Sequence, residues 1–149
     1  MLKKFFSTQD SVALLVVRVM LGVVMWPHGA QKALGLFGGG GFAATMKGMS
    51  QGMGIPSFLV FLVITSEFLG SLGLVLGVAT RLCALGTFSV MLGAIFMVHL
   101  PNGFFMNWFG NQAGEGFEYH LLAVGMAFAL MIAGGGRWAV DRFISDLVE

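Results

Sequence analysis

From Leu82 to Leu100 the chain runs through apolar residues without a single Asp, Glu, Lys or Arg. At 1.5 Å per helical residue this run is about 28 Å long, close to the roughly 30 Å hydrocarbon thickness of a bilayer. A helix that is apolar all round has no face to offer water, so it belongs in a protein core or in lipid. Composition decides for lipid. Hydrophobic residues make up 57% of the 149 positions and charged residues 10%, against about 25% charged in a soluble domain. Most soluble enzymes, small secreted folds and disordered chains are thereby excluded. Eight basic and seven acidic side chains leave no basic stripe for nucleic acid. Cys83 is the single cysteine, so no intrachain disulfide can form and no Cys-based metal cluster is expected.

Four segments have the length for a span: 11–34, 56–78, 82–100 and 117–134. They predict one all-α domain over 1–149, a polytopic membrane four-helix bundle with long outer-side loops. Met1 to Lys4 and the apolar run behind them imitate a signal peptide. Arg18 inside the run, with no small-x-small site before Pro27, favours a retained helix. Pro27 either kinks this helix or ends it. Gly77 to Arg81 leaves almost no loop, so spans two and three form a tight antiparallel hairpin. The stretches Leu36 to Ile55 and Pro101 to Gly116 are long connections. The first holds a glycine run and a short helix from Phe42 to Met49. The second is aromatic and suits the membrane interface. Lys3, Lys4, Arg81, Arg137 and Arg142 fall on one side, Lys32 and Lys47 on the other, which places both termini in the cytoplasm. Trp138, Val140, Phe143, Ile144 and Leu147 share a face of a surface-lying helix in the tail that ends at Glu149.

Charges at membrane depth are costly and face protein or water. Arg18 and Glu67 lie at depths an arginine side chain can bridge. Two readings stand: a structural ion pair that fixes helix register, or a buried proton, ligand or quinone site. Ser66, Gly70, Gly73 and Gly77 recur at spacings of four, three and four, a ridge for close helix packing that turns Glu67 inward. His28, His99 and His120 all fall at the predicted outer surface with Glu115 and Glu118, a gathering of groups able to exchange protons. Glu118 and His120 sit about 200° apart on a helix and do not converge from it. No H-E-x-x-H or similar spacing occurs, and no metal site is assigned. Asp141, after the Gly134-Gly135-Gly136 break and between Arg137 and Arg142, reads as part of a charged anchor after a helix end.

At these residues the chain resembles the DoxX family of small bacterial membrane proteins. The signposts are Arg18, His28-Gly29-x-x-Lys32, Glu67-x-x-Gly70, Gly77-x-x-Thr80-Arg81, His99, Glu118 and Gly134-Gly135-Gly136-x-x-x-x-Asp141. The family's aromatic-Ser-Leu-Asp ending stands here as Trp138-Ala139-Val140-Asp141. The resemblance implies a four-helix protein of the bacterial inner membrane. Some relatives are associated with thiosulfate:quinone oxidoreductase or quinol oxidase complexes, another with a membrane oxidoreductase complex that includes superoxide dismutase and a sulfurtransferase. Carried onto this chain, the expectation is a membrane subunit or accessory protein of quinone-linked redox or sulfur/thiol metabolism. His28, Glu67, His99 and Glu118 would do the proton chemistry, and Arg18, Lys32 and Arg81 would bind ligand. Gly70, Gly73, Gly77 and Asp141 would be structural. A quinone is the expected small molecule, and the sequence has no haem, flavin or iron–sulfur motif, so electrons would come from a redox or sulfur-metabolism partner. A non-catalytic scaffold, a small transporter component and a homo-oligomer stay open.

Overall fold

The computed structural model describes residues 2–147. Met1 and residues 148–149 of the tail lie outside the described residues. Within them are seven helices. These are α1 (Leu2–Phe6), α2 (Val12–Leu34), α3 (Gly41–Lys47, prolonged by a π-helical turn Gly48–Gly52), α4 (Ser57–Leu76), α5 (Thr80–Asn102), α6 (Glu118–Ala133) and α7 (Val140–Leu147).

The local reasons are readable. Ser11 caps α2: its backbone is extended and its hydroxyl accepts a hydrogen bond from Leu14 N at 3.3 Å, which satisfies one of the four unpaired N–H groups at a helix start. Pro27 removes one backbone donor without ending the helix. α2 continues to Leu34 and stops at Gly35, whose left-handed φ of 74° is the usual helix terminator. His28 and Lys32, four apart, therefore share a face. Gly77, at φ 73°, turns the chain out of α4. Ala79, also left-handed, starts α5 without a capping side chain of its own.

Three helices, α2, α4 and α5, are long and apolar enough to cross a membrane. The expected four-helix transmembrane bundle is corrected here. α6 has 16 residues, about 24 Å, short of a roughly 30 Å core. The cause lies in residues 103–117. There the chain doubles back, with Phe117 N donating to Gly103 O at 3.2 Å and Glu118 N to Phe104 O at 2.9 Å. Gly116 is pressed into this fold so closely that a Cβ would lie 2.3 Å from Phe105 O. The residues a fourth full span would need are spent in this non-helical stretch. The connection after α2 is not a long loop either, because α3 and its π-helical turn fill most of it.

α6 lies antiparallel against α5. Ala84, Ala123 and Ala127 let the backbones approach, and Leu21, Met25, Leu74, Met91 and Leu130 fill the shared core. Close packing of small residues is what holds helices together in lipid. The outward rows are apolar too: Val16, Phe58, Leu62, Leu82 and Phe96 are all exposed, as lipid-facing positions should be. Both described ends of the chain meet at one end of the bundle, where Gln9 N donates to Ala133 O at 3.3 Å. α7 lies at that end with its polar residues Asp141 and Ser145 buried. Phe143 and Leu147 are 69% and 84% exposed, beside exposed Arg142 and Asp146, a mixed outer face that fits a helix lying at the membrane surface.

Candidate functional site

The polar residues separate into two groups at opposite ends of the bundle. At the end where the described chain ends meet, Arg18, Arg81 and Asp141 bond to backbone. Arg18 is almost wholly buried. Its Nε donates to Gly135 O at 2.8 Å, and its Nη1 donates to Leu74 O at 2.7 Å and Val75 O at 2.5 Å. It thus gives a donor to Val75 O and a second one to Leu74 O, which also accepts from Gly77 N at 3.2 Å, at the carboxyl end of α4. The sequence left open a pair between Arg18 and Glu67, and the structure does not form it. Leu74 and Glu67 are about 10.5 Å apart along α4, beyond what the committed guanidinium reaches. Arg81 does the same for α6, donating to the carbonyls of Met131 and Ile132, and to Ser7 O at 3.2 Å.

Asp141 completes this end. Its carboxylate accepts from Ala79 N at 2.6 Å and Thr80 N at 2.7 Å, so it is the N-cap that Ala79 lacks. Its own N–H donates to Gly77 O at 2.9 Å. A Cβ on Gly77 would lie 2.6 Å from Ala139 Cα and 3.0 Å from Arg18 Cζ, and one on Gly73 would lie 2.6 Å from Cys83 Sγ. Gly70 has ordinary room, with nothing closer than 3.9 Å. The small-residue ridge is therefore tight at two of its three glycines. At the surface, Asp10 pairs with Arg137 at 2.8 Å and Arg142 at 3.4 Å. The hydrogen bond from Arg137, foremost, holds its carboxyl below the ordinary value of 3.8.

At the opposite end a buried carboxylate is met by a side chain instead. Glu67 sits in a π-helical turn, Ser66–Gly70, near the middle of α4. Its carboxylate accepts from Lys32 Nζ at 2.5 Å. The Glu67 side chain is 5% exposed and that of Lys32 27%, so the pair is buried on one side and reachable on the other. Gly29 makes the approach possible: a Cβ there would lie 2.4 Å from the Glu67 carbonyl. Trp26, one turn back on α2, packs on Phe68 at 6.4 Å between ring centres. Its buried indole N–H has no hydrogen-bond partner among the described residues.

The histidines gather at the same end. His28 lies 6.4 Å from the Tyr119 ring, Tyr119 lies 5.3 Å from His120, and His120 lies 4.0 Å from His99. His99 also ends on a π-helical turn, Ile95–His99, and its Nδ1 meets Glu115 O at 2.8 Å. His120 is buried, and its Nδ1 has no partner among the described residues. Turns of π-helix recur at functional positions because they re-aim side chains at a cost in regular bonding. Glu115 and Glu118 behave otherwise. Glu115 Oε2 accepts from Asn107 N at 2.7 Å, and Glu118 Oε1 accepts from Met106 N at 3.0 Å and Trp108 Nε1 at 3.2 Å. Both carboxylates hold the aromatic loop, so Glu118 is separated in role from Glu67. No group of three or more His, Cys, Asp or Glu among the described residues is arranged to hold a metal ion.

Sequence reasoning missed Tyr119, Trp26 and the pairing of Lys32 with Glu67. Tyr119 had a signal, since it is the chain's one tyrosine and stands beside His120. Its hydroxyl reaches Met25 Sδ at 3.4 Å. Trp26 had only its position two residues before His28-Gly29-x-x-Lys32.

The DoxX family model matches residues 13–100, which include Arg18, His28, Lys32, Glu67, Arg81 and His99. The chain is 29% identical over 136 residues to "Inner membrane protein YqjF" of Escherichia coli (strain K12), covering 91% of this chain and 95% of that protein. It is also 29% identical over 133 residues to "Putative oxidoreductase CatD" of Bacillus subtilis (strain 168), covering 89% and 87%. No solved structure matches. With more than half its length matched, the chain belongs to the DoxX family.

Proposed function

We propose that this multi-pass membrane protein is a subunit of a redox system and takes up a quinone head group at the Lys32–Glu67 end of the bundle. One observation carries the reading. A partly accessible ammonium held by a buried carboxylate stands at the end where buried ring nitrogens of Trp26 and His120 have no partner among the described residues. A quinone presents two carbonyl oxygens that accept hydrogen bonds, and these groups are of the kind that can supply them. The name of the Bacillus relative supports a redox setting. The name of the Escherichia relative supports residence in an inner membrane. The cations Lys3, Lys4, Arg81, Arg137 and Arg142 at the other end favour a cytoplasmic position for the termini.

The residues take distinct tasks. Lys32 polarises one quinone oxygen, and Glu67 keeps its charge in place. His28 and His99, whose ring nitrogens can donate or accept, exchange protons with the surroundings. Reduction to the quinol consumes two electrons and two protons. The protons enter through the histidine cluster, and the electrons come from a partner redox protein. Sulfur or thiol oxidation on that partner is one source of them.

The test is binding of a short-chain ubiquinone analogue to the purified full chain, read by quenching of Trp26 fluorescence with Trp108 and Trp138 replaced by Phe. Saturable quenching is expected, weakened about tenfold or more in Lys32→Met, since a hydrogen bond from a charged donor contributes about 1.5–3 kcal/mol. Equal quenching in Lys32→Met and Glu67→Gln would remove both residues from the role. A scaffold role is the second reading, favoured by the commitment of Arg18, Arg81, Asp141 and Glu118 to backbone. Recovery from native membranes in a stable complex without redox proteins or quinone would support it.

A further inference from the structure

A cavity of about 380 Å³ at the termini end is lined by Lys4, Phe5, Ser7, Arg81 and Ile132. Its chemistry is one-sided: two cations, no carboxylate, and two apolar side chains. Arg81 donates only to neutral carbonyls, those of Met131, Ile132 and Ser7, and its Nε has no partner among the described residues. Among the described residues its charge is therefore offset by the carboxyl end of α6, roughly half an elementary charge. Lys4 adds a second full positive charge.

We propose that this cavity binds the phosphodiester head group of an anionic membrane lipid. The placement fits the head-group layer, because the cavity opens where the apolar length of α6 ends at Ala133 and α1 folds across it. The apolar wall continues in the right direction. Ile132 is 63% exposed and Phe128, one turn back, is exposed on the same face, so an acyl chain can run down α6 while the phosphate stays with Arg81 and Lys4. Basic pockets between membrane helices recognise anionic lipids on these grounds, through local charge beside an apolar path. The second cavity at this end, lined by Asp10, Arg137, Trp138, Ala139, Arg142, Phe143 and Asp146, does not share this chemistry, because its two arginines face two carboxylates.

The test is native mass spectrometry of the delipidated full chain, titrated with dioleoyl phosphatidylglycerol, dioleoyl phosphatidylcholine or glycerol 3-phosphate. Phosphatidylglycerol should bind at least about fivefold more tightly than phosphatidylcholine, the ratio expected for one surface cation acting on an anionic lipid. Lys4→Glu should abolish the preference and Lys4→Gln should reduce it. Lys47→Glu, the same charge change at the far end, should leave it intact. Equal binding of the two lipids, an equal loss in Lys47→Glu, or competition by glycerol 3-phosphate at the lipid's own concentration would each overturn the proposal.

Discussion

Replacing Asp141 with Ala should unlatch the termini end. The carboxylate accepts two short bonds, from Ala79 N at 2.6 Å and Thr80 N at 2.7 Å. Hydrogen bonds to a charged group contribute about 1.5–3 kcal/mol each, so roughly 3–6 kcal/mol is at stake. Thr80 is fully buried whereas Ala79 is partly open. Water can satisfy the second N–H but not the first, which brings the expected loss to about 3–4 kcal/mol. For a chain near 150 residues each kcal/mol lowers the melting temperature by about 2–4 °C, so the variant should melt roughly 10 °C lower. Asp141→Asn keeps one acceptor oxygen and should lose about half as much. The assay is thermal unfolding in mild detergent by circular dichroism, with hydrogen exchange at Leu82 and Cys83, whose N–H groups donate to Ala79 O in the first turn of α5. A melting point within about 2 °C of the parent, with unchanged protection at those two amides, would refute the assignment of Asp141 as the cap of α5.

Two further perturbations follow from the opposite end. Lys32→Met leaves the buried Glu67 carboxylate without its partner and should cost about 3 kcal/mol, the low end for a broken buried pair because Lys32 is 27% exposed. The double variant Lys32→Met with Glu67→Gln should recover most of it, and thermal melts that fail to separate the two would sink the pairing. Gly29→Ala puts a methyl 2.4 Å from the Glu67 carbonyl while Gly70→Ala meets nothing within 3.9 Å. The first should therefore destabilise by about 1–3 kcal/mol and the second by less, which paired denaturation curves will decide.

The apolar segments, the tight hairpin at Gly77 to Arg81 and the inward turn of Glu67 were legible because each is written in local composition. The fourth helix was legible in place, expected at 117–134 and found at Glu118–Ala133, but its status as a full span was not. Only long-range contacts such as Phe117 N to Gly103 O show how residues 103–117 fold back before it. The partner of Arg18 was illegible for a related reason: its acceptors are backbone carbonyls, which carry no residue identity. The partner of Glu67 depended on Pro27. Had the helix ended there, Lys32 would have left the face of His28. Because α2 runs on to Leu34, the ammonium arrives beside α4 instead.

The two ends of the bundle spend their polar groups in different ways, and that difference locates the chemistry. Arg18 and Asp141, both buried, answer backbone groups at two helix ends, so a substrate bound at either would have to displace bonds the fold depends on. Lys32 and Glu67 answer each other, and neither closes a helix end. Opening that pair to a ligand breaks one contact and leaves the backbone intact, while His120 and Trp26 still have nitrogens to offer. Substitutions at the termini end should therefore cost stability first and activity only through it. Substitutions of His99 or Trp26 should alter ligand affinity in a protein that still melts at its normal temperature.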